Sequence, residues 1–311
     1  MNSLRRIKLR HLETFVEVAR QKSVSRAAEN LHLTQPAVTR TIRELEDICG
    51  RPLVEREGRG IRISHHGEVF LRHAGSSLAA ARNGINALAE LDVADGPKIR
   101  LGALPTVSTT IVPQAVAKYL KSGMRNRLKI ITGENRALLD QLRNGELDLV
   151  MGRLPAPDVM QGLIFEPLFR DKVIFAVHAS HPLASRRQFA VEALDNYPVL
   201  VPTLQSIIRP FVDRLFIEQG ITEPLQVIET VSDSFGRTFV SQHQAIWIIS
   251  RGVVLSQLES GEYTTLPIDT DSTMGSVGLC TRADTKLSPA CAHFADMLRR
   301  QVAETGWTGN S

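Results

Sequence analysis

The sequence predicts an α/β protein that carries a separate, mostly helical module at its N-terminus. Three observations support this architecture. Residues 1–67 hold thirteen Lys and Arg against eight Asp and Glu, whereas residues 68–311 hold 24 against 25, so the whole net charge of +4 comes from the first fifth of the chain. Apolar residues recur at helical spacing up to about residue 91. Beyond residue 98, short β-type runs alternate with helical runs, which is typical of α/β folds.

Composition excludes several other classes of protein. A hydrophobic fraction of 43% argues against disorder. Residues 1–10 include four basic residues but no apolar segment follows, and no run of about 18 apolar residues occurs, so neither a signal peptide nor a membrane span is predicted. The three scattered cysteines form no CxxC pair, and the adjacent His65 and His66 have no matching ligands nearby. We therefore expect a cytoplasmic protein without a metal or cofactor.

The basic N-terminal segment contains three helical patterns. In the first, apolar residues recur at i, i+3 and i+4 from Leu9 to Ala19. Ser23 can cap a second helix, and Thr34 can cap a third that runs to about Asp47. Two short helices joined by a tight turn are typical of a helix-turn-helix, whose second helix enters the major groove of DNA.

The third helix presents the side chains that we expect to contact bases. Gln35 is suited to an adenine edge, Thr39 to a base or a thymine methyl group, and Arg40 and Arg43 to guanine or phosphate. Pro36, in the first helical turn, belongs to the same predicted DNA-binding set. The alternative is an ordinary solvated helix face, and the positive charge of the segment favours DNA over that alternative.

A β-hairpin is predicted after the third helix. Within residues 55–64, a Gly-rich turn is followed by alternating Ile and Arg at residues 61–63, which indicates a wing beside the groove-reading helix. Arg56, Arg59 and Arg62 are expected to lie along the DNA backbone, where they would add affinity that depends on salt but not on base sequence.

The run LHLTQPAVTRTIRELE at residues 31–46, preceded by SRAA at residues 25–28, resembles the N-terminal signature of LysR-type transcriptional regulators. Further positions that match this signature are Gly50, Leu53, Arg56 and Gly67. The resemblance implies a winged helix-turn-helix domain at residues 1–66, double-stranded operator DNA and RNA polymerase as partners, and a homodimer or homotetramer.

Residues 67–92 predict one long connecting helix. Leu71, Leu78 and Ile85 are seven residues apart, and the same holds for Ala74, Ala81 and Leu88, which is the heptad pattern of a dimerising helix. The alternative is that this stripe packs within one chain. A pair of such chains would require an operator with dyad symmetry. Residues 92–97, which include Gly-Pro, predict a linker.

The nearly neutral remainder predicts eight strands and five helices, and it lacks both GxGxxG and Walker A sequences, so nucleotide phosphates are not expected ligands. The family resemblance extends here and implies a two-subdomain fold like that of periplasmic solute-binding proteins at residues 97–305. Subdomain I would take about 97–169 and 272–305, and subdomain II about 170–271. An effector would bind in the cleft between them.

Candidate effector-binding residues stand where predicted strands end and helices begin, because backbone N–H groups there favour an anion. Hydroxyls and two arginines in these positions suit a small carboxylated ligand. The set comprises Thr106, Val107, Ser108, Arg153, Thr203, Ser206, Arg209, Ser232 and Ser234. For each hydroxyl, a helix-capping role stays open, and for each arginine, so does a structural salt bridge.

A narrower resemblance is to the branch of LysR-type regulators that activates protocatechuate catabolism. It is carried by five segments, at residues 102–108, 131–135, 202–210, 231–236 and 245–250. It implies an activator of aromatic-acid catabolic genes that responds to a carboxylated ring-cleavage product. Two alternatives stay open. One is a sugar-responsive regulator of a transport operon, from a neighbouring branch. The other is an enzyme on a related fold, although Cys280 lacks an accompanying acid/base pair and no catalytic residue is predicted.

Overall fold

The computed structural model describes residues 4–58, 60–91, 98–124, 127–186, 190–283 and 285–306. The chain divides into two compact units, one made of Met1–Ala94 with Arg143–Glu146 and the other of Asp95–Leu142 with Leu147–Ser311. The predicted linker at residues 92–97 lies outside the described residues.

The first unit contains three helices, a two-stranded hairpin and a long helix. In chain order these are α1 (Leu9–Gln21), α2 (Val24–Asn30), α3 (Gln35–Cys49), β1 (Val54–Glu57), β2 (Gly60–Ile63) and α4 (His65–Leu91). The predicted caps start two of the helices: the Ser23 hydroxyl accepts the Arg26 N–H at 3.4 Å, and the Thr34 hydroxyl accepts the Ala37 N–H at 3.4 Å. The helix-turn-helix and its wing are therefore present.

A hydrogen-bonded carboxylate ties the wing to α3. One oxygen of Glu46 accepts the N–H groups of Leu53 at 2.7 Å and Val54 at 3.0 Å, where the chain enters β1. Gly67, near the start of α4, allows the chain to pass close by, because a Cβ there would lie 2.1 Å from the Leu53 carbonyl oxygen. These contacts hold the hairpin in a defined position beside α3.

The long helix α4 has two halves with different surroundings. Ala74 and Leu78 are buried in the same core as Phe15 of α1. In the second half, Ile85 is 66% exposed and Leu88 is 67% exposed. The stripe of heptad positions therefore packs within the chain over its first part and is open in this single chain over its last part.

The second unit is built on two five-stranded sheets with helices around them. Its elements are β3 (Ile99–Ala103), α5 (Pro105–Ser108), α6 (Ile111–Lys121), β4 (Leu128–Thr132), α7 (Asn135–Arg143), β5 (Leu149–Arg153), β6 (Leu163–Asp171), β7 (Val173–His178), β8 (Val199–Val201), α8 (Arg209–Glu218), β9 (Val227–Glu229), α9 (Asp233–Gln242), β10 (Ile246–Ser250), α10 (Leu255–Glu259), β11 (Tyr263–Thr265), β12 (Gly275–Arg282) and α11 (Pro289–Glu304). Short 3₁₀ helices lie at Leu4–Arg6, Pro157–Val159, Val191–Asn196, Arg251–Val254 and Asp271–Thr273.

The two sheets share one design. Sheet I has the strand order β4-β3-β5-β12-β6 and sheet II the order β11-β7-β10-β8-β9. In each sheet, three neighbouring strands are parallel: β4, β3 and β5 in sheet I, and β10, β8 and β9 in sheet II. The other two strands add antiparallel pairings: β12 with β5 and β6 in sheet I, and β7 with β10 and β11 in sheet II. The chain leaves sheet I after Asp171 and enters sheet II at Val173, and it returns between Thr265 and Gly275. Two subdomains joined by two crossings result, as the family resemblance implies.

The structure contains two strands and two short helices that the sequence patterns did not predict: β6, β11, α5 and α10. Strand β6 escapes prediction because Pro167 lies in its middle, and proline normally argues against a strand. It is tolerated here since β6 is the edge strand of sheet I and its register shifts at Val277/Gly278, opposite Pro167. Strand β11 is only three residues long and also lies at an edge.

Candidate nucleic-acid interface and ligand cavity

The outer face of α3 forms a shallow concave surface. Residues four apart on a helix line up in rows, and two such rows, 35-39-43-47 and 36-40-44, make up this face. All five residues predicted for α3 are on it, together with two acidic residues: Gln35, Pro36, Thr39, Arg40, Arg43, Glu44 and Asp47. Val38, Ile42 and Leu45 point the other way into the core. A polar helix face of this kind matches the groove-reading helix of a helix-turn-helix.

Glu44 lies beside basic side chains from two helices. Its carboxylate accepts the Arg40 Nε–H at 3.0 Å, and it lies 3.6 Å from Nη2 of Arg10 and 3.5 Å from Nε2 of His11. The hydrogen bond from Arg40 is the main reason that the pKa of Glu44 lies below its usual range. The sequence analysis did not single out this acid, although the i, i+4 spacing to Arg40 could have revealed the pair.

The wing carries two of its three predicted cations within the described residues. Arg56 is exposed, and Arg62 pairs with Glu55 on the neighbouring strand at 2.5 Å. Arg59 lies outside the described residues. Exposed surface pairs of this type contribute little to stability, so the Arg62 guanidinium can exchange Glu55 for another anion at small cost.

A cavity of about 500 Å³ lies between the two subdomains of the second unit. Its walls come from the carboxyl ends of strands in both sheets and from the helix starts that follow them. Subdomain I contributes Leu104, Pro105, Thr106, Thr132, Gly133, Glu134 and Asn135. Subdomain II contributes Pro202, Ser206, Ile207, Ile208, Thr230, Val231, Ser232, Asp233, Ser234, Ile249, Ser250 and Val253. This is the position at which open α/β sheets bind ligands.

The structure brings four of the nine predicted effector-binding residues to the cavity wall and leaves five away from it. Those at the wall are Thr106, Ser206, Ser232 and Ser234. Ser232 also caps α9, accepting the Phe235 N–H at 3.3 Å, so its two expected roles coexist. Those away from the wall are Val107, Ser108, Arg153, Thr203 and Arg209.

Three of the predicted residues lie away from the cavity wall because of their local surroundings. Val107 is fully buried in the core of subdomain I. Ser108 donates to the Pro105 carbonyl at 3.3 Å, within its own short helix α5. The Thr203 hydroxyl is buried in the loop before α8. For these three positions the expectation of a ligand contact is revised.

The two arginines also have structural surroundings. Arg153 ends β5 beside both chain crossings, is 3% exposed, and stacks its guanidinium 4.3 Å from the centre of the Phe211 ring. Burial lowers its pKa, and nearby Asp171 opposes that change. Burial likewise raises the pKa of Asp171 to about 6, against the attraction of Arg153. Arg153 therefore lies beside the two crossings between the subdomains (the hinge region) and not at the cavity wall.

Arg209 is engaged by two carboxylates. Its Nε donates to Asp213 at 2.6 Å and its Nη1 to Glu229 at 2.8 Å, while Nη1 also donates to the Pro202 carbonyl at 2.9 Å. The hydrogen bond to Glu229 is the main cause of its raised pKa. The salt-bridge alternative therefore describes Arg209 in this structure, and the expectation of a ligand contact is revised.

Six polar residues at the cavity wall lie outside the predicted effector-binding set. They are Thr132, Glu134, Asn135, Thr230, Asp233 and Ser250. A usable signal existed for five of them, because Thr132, Glu134 and Asn135 lie at the junction of β4 and α7. Thr230 and Asp233 lie at the junction of β9 and α9, so the strand-end rule that selected Thr106 applies to both junctions. The wall residues that the structure describes thus include two carboxylates and no Lys or Arg. An anion would depend on hydroxyls and on N–H groups where α7 and α9 begin.

Asp233 places a carboxyl group with a raised pKa at the cavity wall. Burial raises its pKa, and the charge of Arg237 opposes this. Ionised Asp233 repels an anionic ligand, so proton uptake as the pH falls through this pKa should strengthen binding of a carboxylate. We expect Asp233→Asn to bind a carboxylated effector about three- to tenfold more tightly at neutral pH, the size of one screened charge pair, with a flatter pH profile.

Isothermal titration calorimetry at neutral pH and at a series of lower pH values would measure this change. Glu259→Gln, which removes an exposed negative charge from α10, is the matched control and should bind as the unmodified protein does. Weaker binding by Asp233→Asn would contradict a purely repulsive role and would indicate that the carboxylate accepts a hydrogen bond from the ligand.

The described residues contain no group of three or more His, Cys, Asp or Glu arranged to hold a metal ion. Within the same residues, no helix is both long and apolar enough to cross a membrane. Cys280, the residue on which an enzyme alternative depended, is 3% exposed within an apolar core.

Two family models match the chain. Residues 9–68 match "Bacterial regulatory helix-turn-helix protein, lysR family", and residues 94–303 match "LysR substrate binding domain". The first match contains the α3 face and the wing, and the second contains the cavity.

Full-length relatives and a solved structure agree with these matches. The HTH-type transcriptional regulator PcaQ of Agrobacterium fabrum is 52% identical over 299 residues, which cover 96% of each chain. The HTH-type transcriptional regulator YdcI of Escherichia coli is 33% identical over 303 residues, covering 97% of this chain and 98% of the relative. Full-length LysG from Corynebacterium glutamicum, solved with bound effector Arg, gives a TM-score of 0.58 at 16% identity over 96% and 99% of the two chains, a likeness of fold alone.

Proposed function

We propose a function on the premise that this chain belongs to the LysR family of bacterial transcriptional regulators. It activates genes of aromatic-acid catabolism, in particular those for the catabolism of protocatechuate. A small carboxylated effector is the signal. The identity of 52% to the regulator PcaQ and the five segments quoted above support this choice of pathway. The protein acts in the cytoplasm, where its DNA is, and without catalysing a reaction.

One observation carries the proposal: a single chain combines a groove-reading helix face with a cavity of polar helix starts. On the DNA side, Gln35, Thr39 and Arg40 read bases, and the wing cations Arg56, Arg59 and Arg62 hold phosphates. Pro36 and Arg43 complete the α3 contact surface. The effector side then biases which arrangement of the regulator is populated, since a ligand shifts an equilibrium only through different affinities for its states.

The effector carboxylate would be held by neutral donors. Thr106, Ser206, Ser232 and Ser234 offer hydroxyls, and N–H groups at the starts of α7 and α9 add fixed dipoles. Apolar wall residues such as Ile207 and Val253 then cover the carbon skeleton. Hydrogen bonds to an ionised group are about twice as strong as neutral ones, so this arrangement can bind an anion without an arginine.

Assembly uses α4. Ile85 and Leu88 are more than 60% exposed at heptad positions, so the second half of the helix offers an apolar seam to a second copy. Two copies related by a two-fold axis place two α3 helices on an operator with dyad symmetry. A homodimer or a homotetramer then presents RNA polymerase with a bound promoter.

A sugar is the second candidate effector. Glu134 and Asp233 at the wall, with no Lys or Arg among the described wall residues, are suited to accept hydrogen bonds from the hydroxyls of a neutral ligand.

A thermal-shift screen of the full-length protein would distinguish the two candidates. The ligands are protocatechuate and related aromatic acids, their ring-cleavage products and a panel of sugars. A ligand present at 100 times its Kd stabilises the folded protein by about 2.7 kcal/mol, which raises the Tm by several degrees. We expect a carboxylated compound to do so. Stabilisation by a sugar alone would favour the second candidate.

A further inference from the structure

The DNA-facing surface of α3 contains two carboxylates that its function does not explain. Glu44 and Asp47 share the concave face with Gln35, Thr39 and Arg40. Because DNA carries one negative charge about every 1.7 Å of its axis, a carboxylate on this face weakens binding through repulsion. A role other than phosphate binding is needed for an acid in this position.

Glu44 differs from Asp47 in how it is held. Three groups from two helices converge on its carboxylate: Arg40 from α3, and Arg10 and His11 from α1. The ring of His11 is 3% exposed, its Nδ1 accepts the Lys8 N–H at 3.2 Å, and its Nε2 faces Glu44 at 3.5 Å. Glu44 therefore lies beside one exposed and one buried basic side chain of α1.

The contact between Glu44 and Arg40 uses only the Nε–H donor of the Arg40 guanidinium. Glu44 takes the Nε–H of Arg40 at 3.0 Å, and the side chain of Arg40 is otherwise 82% exposed. The two Nη groups at the tip of the guanidinium therefore remain available. This pair has the spacing that matches O6 and N7 of guanine in the major groove.

We propose that Glu44 is a positioning residue that orients Arg40 to read a guanine, and that Arg40 is not a phosphate contact. The inference rests on the proposed DNA-reading role of α3. An arginine held by a neighbouring carboxylate loses less conformational freedom when it binds a base edge, whereas a phosphate contact gains little from a fixed direction.

The test uses full-length protein and a DNA duplex that the unmodified protein selects from a random-sequence pool. Each guanine of that duplex is replaced in turn by 7-deazaguanine, which lacks the N7 acceptor. For the unmodified protein, we expect one guanine per half-site at which this replacement weakens binding about tenfold. In Arg40→Ala that penalty should vanish, and in Glu44→Gln it should fall below about threefold.

Asp47→Asn is the matched control, since it removes the same charge from the same face without touching the Arg40 pair. It should raise affinity for every duplex and leave the guanine penalty unchanged. Arg40→Lys keeps the charge but not the fork, and because residue 40 is highly exposed the fold does not depend on it. We expect the guanine penalty of Arg40→Lys to fall below about threefold, as in Glu44→Gln.

Two results would overturn the proposal. One is a Glu44→Gln protein that behaves as Asp47→Asn does, which would make the Arg40 pair an ordinary surface contact. The other is an unchanged guanine penalty in Arg40→Ala. Failure of the unmodified protein to select any sequence would instead contradict the DNA-reading function itself.

Discussion

Replacing Gln35 with alanine should weaken binding to the selected operator duplex about 10- to 100-fold and leave binding to unrelated DNA unchanged. Gln35 lies in the first turn of α3 and is exposed on the concave face, where a side-chain amide can make two hydrogen bonds to one base. It is neutral, so its loss releases no counterion and the salt dependence of binding should stay as it is. Fluorescence anisotropy with both duplexes at several salt concentrations measures these quantities.

Two variants serve as controls for Gln35→Ala. Arg56→Ala removes an exposed wing cation, so it should weaken binding to both duplexes alike and reduce the salt slope by about one. Gln242→Ala, at the exposed end of α9, should change neither. An equal loss of affinity on both duplexes for Gln35→Ala would show that this residue does not read sequence.

Thr106→Val should reduce effector affinity about 10- to 100-fold while operator binding in the absence of effector is retained. Thr106 is 7% exposed and lines the cavity at the end of β3. Valine has the same shape but no hydroxyl, so a ligand carboxylate there would be left without this donor, a cost of about 1–3 kcal/mol. Calorimetric titration of the compound found in the thermal-shift screen measures the loss.

Thr265→Val is the matched control for Thr106→Val. It makes the same chemical change on the edge strand β11, outside the cavity wall, at a position where a β-branched residue suits the strand. It should bind the effector as the unmodified protein does. Unchanged effector affinity in Thr106→Val would remove this hydroxyl from the binding site.

The DNA-binding face could be read from the sequence because all its members lie on one helix. Residues 35, 36, 39, 40 and 43 share a face by helical geometry alone, and Thr34 marks where the helix starts. The heptad stripe of α4 was only partly readable in this way. Its period is a local property, but burial of Ala74 and Leu78 against the helix-turn-helix core depends on distant residues.

The cavity shows where local reasoning ends. Its walls come from loops far apart in the chain, and a residue at a strand end can turn toward the cleft or away from it. The position of Arg209 in the sequence suits contact with an anionic ligand. In the structure, however, its Nη1 lies 2.8 Å from the carboxylate of Glu229, which is twenty residues away in the chain. The neighbours of Arg153 are also distant in the chain: its guanidinium stacks on Phe211 and lies near the charge of Asp171.

By itself, the sequence determined the separation of a basic DNA-binding module from a neutral body, the helix that reads the groove, and the α/β character of that body. These properties follow from charge, periodicity and capping, which act between residues close in the chain. Only the tertiary structure decided which polar groups face the cavity and which form ion pairs or hydrogen bonds with each other. A carboxylate or guanidinium finds its partner through space, and a buried charge without a partner is too costly to leave alone.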